Sequence, residues 1–305
     1  MDSYYAHGKL LLSGEYVVLD GAKALAIPTR LGQYLEVTPS NALGLEWASL
    51  NHEGQAWLEA RLGAQGDDQI KLGEEAYLQR LRQIIDAIIV LRPAAEEQFR
   101  ACSITTRLEF DRQWGLGSSS TLIAMLAQYA EVNPYELLAN TFGGSGYDLA
   151  CAIAKGPISF QWEDDFGLPQ VSPLNWQPAW LEQTYFVYLG QKQNSREGIH
   201  HYRQQEVKAA DIAAVSQLSD DLLEAAGPAE VQKILHEHEA LVGQLTKQAP
   251  VQERLFPDFP GQLKSLGAWG GDFIWAISEL PEADVKSYFF GKDLEVVLPY
   301  HELAL

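Results

Sequence analysis

A chain of 305 residues is long for one hydrophobic core and comfortable for two domains. With 47% hydrophobic and 21% charged residues it has the composition of an ordinary globular protein, not of a disordered one. Its 22 basic and 41 acidic residues give a formal charge of −19, a surface that repels nucleic acid and anionic membranes, so neither is expected as a partner.

An anionic substrate would need basic residues gathered in one place against that field. The two cysteines, Cys102 and Cys151, lie in apolar stretches without metal-ligand spacing and read as buried thiols of a reducing compartment. The opening MDSYYAHGKLLL is no signal peptide, since Asp2 and His7 interrupt it, and no apolar stretch reaches the length of a membrane span. A cytoplasmic location is the expectation.

In chain order, residues 10–12 and 34–37 read as strands, and 45–62 carries weaker strand signals broken by polar turns. Residues 74–92 predict a helix, with Leu78, Leu81, Ile85 and Ile88 at helical spacing and Pro93 past its end. Residues 102–110 alternate: Cys102, Ile104, Thr106, Leu108 and Phe110 on one face, polar residues on the other. A glycine- and serine-rich turn follows, then a helix to about 130 with the stripe Leu122, Met125, Leu126 and Tyr129. Asn133-Pro134 opens a short helix, Asn as cap and Pro as first residue. A strand over 156–162 precedes a stretch, 163–182, that reads as a surface connection. The domain boundary is placed there, giving domains 1–178 and 179–305. A strand at 185–189, helices over 198–248, and strands at 273–277 and 294–298 complete the chain. Strands and helices interleave without regular βαβ spacing, which predicts an α+β fold.

Four segments carry chemistry. Gly115-Leu116-Gly117-Ser118-Ser119-Ser120 lies between a strand and a helix. Its glycines allow a tight turn and close ligand approach. The unpaired amides and dipole of the following helix favour an anion, phosphate above all. The hydroxyls of Ser118, Ser119 and Ser120 can add donors or a magnesium ligand. The same segment also reads as a plain turn with a serine cap, and no Lys follows to make it a Walker A loop. In His7-Gly8-Lys9, the lysine reads either as a solvated strand end or as a charge able to neutralise a moving phosphoryl group. Asp148, after Gly144 and Gly146, reads either as a helix cap or as a carboxylate that takes or orients a substrate proton. Gly267-Ala268-Trp269-Gly270-Gly271-Asp272 is a glycine turn before a strand, weak evidence alone. His236 and His238 stand two apart on a helix and share no face, which rejects a metal site there.

In this order the segments resemble the motifs of the GHMP kinase family, which includes mevalonate, phosphomevalonate, homoserine and galactose kinases. HGKLLLSGEYVVLDG corresponds to the early motif, GLGSSS to the phosphate loop, GSGYDLA to the region of the catalytic Asp, and GAWGGDF to the late glycine motif, together spanning about residues 6–277. The resemblance implies a two-domain GHMP kinase fold with its active site in the cleft between domains, ATP and Mg2+ as cofactors, and a small anionic substrate. It leaves a homodimer open. Residues 115–120 would cradle the ATP phosphates. Ser119 would ligate magnesium, with Glu136, one position out of register, as the nearest counterpart of the family's glutamate ligand. Asp148 would orient or deprotonate the acceptor, Lys9 would stabilise the transferring charge, and Gly267, Ala268, Gly270 and Gly271 would line the cleft. Lys192, Ser195 and Arg196, followed by His200, His201 and Arg203, are the candidates for the anionic end of the substrate; the alternative is a polar surface turn. Arg112, beside the phosphate loop, is another candidate.

Glu15-Tyr16 and Asp272 are closer in style to phosphomevalonate kinase than to mevalonate kinase. His7 stands where the family has Pro, residues 111–114 replace the Pro ahead of the phosphate loop, and Trp269 replaces a Gly. The indole is expected to narrow the nucleotide or the substrate side of the site. A sugar or homoserine kinase, or a non-catalytic ligand sensor on the same fold, are the competing readings.

Overall fold

The computed structural model describes residues 1–63, 67–162, 168–191, 195–267, 269 and 272–305, without the side chains of residues 195 and 196. The chain divides into two compact units. The first comprises residues 1–8, 31–112 and 116–153, and the second residues 9–30, 113–115 and 154–305. The units are therefore not two consecutive stretches of chain. Strands β1 (Asp2–Ser13) and β2 (Ala24–Pro39) each contribute to both.

In the first unit β3 (Gly44–Leu50), β4 (Ala56–Leu62) and β5 (Gln69–Leu72) follow the second half of β2. Helices α1 (Glu75–Leu91) and α2 (Ala95–Phe99) lead to β6 (Ala101–Leu108), and α3 (Ser118–Ala130), α4 (Pro134–Ala139) and α5 (Tyr147–Ile153) complete it. The strand order is β5-β4-β3-β6-β2. Only β3 and β6 in that run are parallel, and the long connection that carries α1 supplies the crossover such a pair requires.

The period of α1 is the expected one: Leu78, Leu81, Ile84, Ile85 and Ile88 are buried, and burying five such side chains supplies on the order of 10 kcal/mol of gross apolar stabilisation. Strand β6 buries Cys102, Ile104, Thr106 and Leu108, as its alternation predicts. Helix α3 departs from its expected stripe. Ile123, Ala124, Met125, Leu126, Ala127 and Ala130 are buried whereas Leu122 and Tyr129 are half-buried, because α3 is packed on more than one side, α5 and α4 among its neighbours. Asn133 caps α4, its side-chain oxygen accepting the amides of Tyr135 at 2.9 Å and Glu136 at 3.3 Å.

The second unit adds β7 (Ile158–Trp162), β8 (Pro169–Pro173), β9 (Thr184–Tyr188), α6 (Ser195–Tyr202), α7 (Ala209–Glu224), α8 (Pro228–Thr246) and α9 (Val251–Leu255). It ends with β10 (Gln262–Ser265), β11 (Phe273–Ile277), α10 (Glu282–Phe290), β12 (Val297–Pro299) and α11 (Tyr300–Leu303). Its own antiparallel sheet has the order β10-β11-β9-β12, and α8 packs on β10 and β11 while α7 packs on α8. The stretch read as a surface connection is more than that. Strand β8 pairs with β7, and Trp176 and Trp180 are buried edge to face, 5.3 Å between centroids. Aromatic surface of that size is worth more buried than solvated. The architecture is α+β, as expected. Among the described residues no helix is long and apolar enough to cross a membrane.

Candidate active site

The phosphate-loop segment enters α3 through two left-handed glycines, Gly115 at φ 68° and Gly117 at φ 86°. Gly117 is the N-cap residue, and no side chain caps the helix. The Ser120 amide donates to the Gly117 carbonyl at 3.0 Å, and the amides of Ser118 and Ser119 are left for an incoming acceptor at the positive end of a thirteen-residue helix. Leu116 is fully buried, Ser118 is half-buried, Ser119 is exposed and Ser120 is buried. Of the three hydroxyls, that of Ser119 is the best exposed to a ligand. These features fit a bound polyphosphate.

Asp148 lies in the first turn of α5, one residue inside the helix and not at its cap. Helix α5 packs directly on α3, so the first unit brings the aspartate's helix against the phosphate-loop helix. Glu136 is exposed in the first turn of α4, which also packs on α3. Arg112 is engaged elsewhere in the same unit. Its guanidinium stacks 3.5 Å over the Trp57 ring and donates to the Tyr77 hydroxyl at 3.0 Å.

In the second unit Lys9 is half-buried within β1, well inside a strand that runs from Asp2 to Ser13, and not at the strand's opening. The early motif then turns sharply. Gly14 has φ 91°, and a Cβ there would meet the Ala24 Cβ at 2.8 Å. Tyr16 takes φ 63° and ψ −48°, a region closed to most L-residues, before a short 3-10 turn over Val17–Asp20. Burial, with the nearby carboxylates of Glu15 and Asp272, pushes the Tyr16 phenol up to about 12.

In the late glycine motif Gly267 has φ 63° and leads toward Asp272, whose carboxylate lies against Gly115. Tyr16 of the early motif and Gly115, the first glycine of the phosphate loop, are therefore both near Asp272 within the second unit. Ala268, Gly270, Gly271 and Lys192 lie outside the described residues, as do the side chains of Ser195 and Arg196, whose backbone opens α6. The Trp269 indole is buried among Tyr16, Val242, Leu245 and Tyr202, over Gly243 of α8. It is a packing element of the second unit's core. Beyond Arg196, His201 pairs with the Thr246 carbonyl at 3.0 Å and His200 with Gln204 at 3.0 Å.

No protein-family model and no curated protein sequence matches the chain. Solved structures do. Phosphomevalonate kinase of Streptococcus pneumoniae, in complex with phosphomevalonate and AMPPNP, is 18% identical, with a TM-score of 0.69 over 97% of this chain and 99% of that one. Methanococcus jannaschii mevalonate kinase is 15% identical, with a TM-score of 0.69 over 97% and 96% of the two chains. A D-glycero-D-manno-heptose 1-phosphate kinase from Bacteroides thetaiotaomicron is 17% identical, with a TM-score of 0.63 over 99% and 95%. The chain has the GHMP kinase fold.

Within that GHMP kinase fold the second unit holds a group of side chains that the linear motifs do not announce. Lys264 on β10 is fully buried and forms an ion pair with Glu15, itself fully buried. His238 on α8, also buried, accepts the Gly14 amide on Nε2 at 3.0 Å, so its proton sits on Nδ1. Burial and the adjacent Lys264 charge hold this imidazole well below its ordinary pKa. Glu239 accepts the amides of Ser265 at 2.7 Å and Val251 at 3.1 Å. Burial pushes the Glu15 and Glu239 carboxyls up, with the Lys264 ammonium acting against it. His236 is exposed on the other side of α8, so the two histidines indeed share no face. The sequence gives this group little signal: Lys264 stands in a four-residue strand, Gln262-Leu263-Lys264-Ser265, with no motif around it.

Proposed function

We propose that this chain is an ATP- and Mg2+-dependent kinase of small molecules, with phosphomevalonate or mevalonate as its acceptor. The observation that carries the reading is the uncapped, glycine-led N terminus of α3 with the Asp148 helix packed on it, on a GHMP kinase fold. The neighbour from Streptococcus pneumoniae holds a phosphomevalonate and a nucleotide analogue. The Glu15-Tyr16 and Asp272 variants of the motifs favour the phosphomevalonate branch.

On this reading the amides of residues 115–119 and the dipole of α3 hold the ATP phosphates. Ser119 and Glu136 would hold Mg2+, which neutralises charge on the phosphates. Asp148 orients the acceptor oxygen and takes its proton, and Lys9 stabilises the negative charge of the moving phosphoryl group. Phosphoryl transfer needs little covalent chemistry from the protein, so placing these four side chains is most of the catalysis. Gly267, Ala268, Gly270 and Gly271 would line the site, and Lys192, Ser195 and Arg196 would bind the anionic end of the acceptor.

The test is ADP release from the purified protein with Mg-ATP, against phosphomevalonate, mevalonate, homoserine and a panel of sugars. Release with phosphomevalonate supports the reading and the basic segment as its anion site. Release with mevalonate alone assigns the chain to that acceptor and returns the basic segment to surface. Silence with every acceptor, while Mg-ATP still binds, rejects the kinase reading for these acceptors.

A further inference from the structure

A lysine with no solvent exposure is expensive to bury, and an ion pair made in a protein interior adds little stability over apolar residues of the same volume. The Lys264–Glu15 pair therefore calls for a reason other than stability. Its location supplies one. Glu15 sits between Gly14 and Tyr16, at the sharpest backbone turn of the early motif. Lys264 sits on β10, three residues before Gly267 and the late glycine motif. The pair is thus a strut between the early motif and the strand that leads to the late one.

The turn it holds is strained. Tyr16 is a non-glycine residue at φ 63° and ψ −48°. Such a conformation persists only where its surroundings over-determine it, and such places concentrate at functional sites. Here the surroundings are all in the second unit. His238 takes the Gly14 amide, and Lys264 takes the Glu15 carboxylate. Ser13 is tied to Ser219 at 2.7 Å. The Tyr202 ring stacks on that of Tyr16, 5.4 Å between centroids and 23° between planes. Gly198 leaves the space that the Tyr16 hydroxyl occupies. On the other side Lys264 also donates to the Ser265 carbonyl at 3.0 Å, and Glu239 fixes the Ser265 amide, so the strut is anchored at both ends.

We propose that Glu15, Lys264 and His238 are positioning residues, which hold Tyr16 and the early motif in register with the late glycine motif. None of the three need touch a substrate. Their contribution to turnover comes through the placement of the motifs, and misplacement of about 1 Å can cost on the order of a hundredfold in rate. The inference rests on the kinase reading for its catalytic consequence and on geometry alone for its structural one.

The test uses the full chain with Glu15→Met and Lys264→Met combined. This pair of apolar replacements keeps volume and leaves no unpaired buried charge, so the protein folds with a Tm at or above the parent's. The expected result is a kcat at least tenfold lower, an ATP KM within twofold of the parent's, and faster hydrogen exchange at residues 13–20. Glu15→Gln, which keeps the shape and an acceptor for the ammonium, should retain most of the parental kcat. A purely structural pair would change Tm and leave kcat unmoved. Parental kcat together with parental exchange at residues 13–20 would overturn the proposal. If the unsubstituted protein releases no ADP with any acceptor, the kinase reading fails separately. Exchange then decides alone: faster exchange at residues 13–20 upholds the strut, and unchanged exchange rejects it.

Discussion

The Asp272 carboxylate lies so close to the Cα of Gly115 that a methyl group at position 115 would overlap it. Gly115 also has a left-handed φ of 68°. The first glycine of the phosphate loop is therefore required twice, once by its backbone and once by its neighbour. Gly115→Ala should cost about 1–2 kcal/mol from the left-handed conformation and more from the collision. The same substitution should weaken Mg-ATP binding, measured by titration calorimetry. Asp272→Ala introduced into that variant should recover part of the lost Tm, and full additivity of the two substitutions would show that the contact is not the cause.

Asp148 stands in the first turn of α5, packed on α3. With the acceptor identified, Asp148→Asn should lower kcat by about a hundredfold or more, the usual worth of a positioned acid or base. Nucleotide affinity should be unchanged, because on the proposed reading the ATP phosphates are held by the loop. Fluorescence titration with a nucleotide analogue and steady-state kinetics separate the two. Full activity in this variant would remove Asp148 from the mechanism.

His238 has a depressed pKa in the folded protein and an ordinary one, near 6.5, when unfolded. Below pH 6.5 the unfolded chain therefore binds a proton that the folded chain refuses. The neutral imidazole's contribution is fully present above pH 6.5 and is lost as pH falls, by about 1.4 kcal/mol per unit. Glu15, which lies 3.6 Å from it, and Glu239 have raised values and work in the opposite direction, losing stability as pH rises through their folded values. Comparing urea unfolding of the parent and His238→Gln from pH 7.5 to 5 isolates the histidine, since the carboxylates are common to both. The parent should lose more stability over that range than the variant.

Asn133 caps α4 with two side-chain hydrogen bonds. Asn133→Ala should cost about 1 kcal/mol. In a unit of this size that is a fall of about 2–4 °C in Tm, read by calorimetry. A loss of more than twice that would mean the side chain holds more than the helix end.

Local pattern was enough for the elements that make their own case. Helix 75–91 and strand 101–108 follow from apolar spacing, and Asn133-Pro134 from cap chemistry. Strand β10, with only four residues and a lysine among them, was missed, as were β5 and the helices after 250. The final strand lies at Val297–Pro299, later than its expected place. The packing of Trp269 was not legible for a related reason: a glycine motif says where a chain turns, not which wall a bulky side chain leans on. Gly243, the residue that makes room for the indole, belongs to a helix with no motif at all.

The order and chemistry of the four glycine-bearing segments, the α+β class and the resemblance to GHMP kinases were all determined by the sequence itself. They depend on residues adjacent in the chain, whose backbone needs and polar groups can be read locally. What only the tertiary structure decided is the pairing across long separations. Lys264 finds Glu15, His238 finds Gly14, and Asp272 finds Gly115, each more than a hundred residues away. A lysine in a short strand has no legible meaning until burial removes its water and one carboxylate replaces it, and that partner is chosen by packing, which no local pattern encodes.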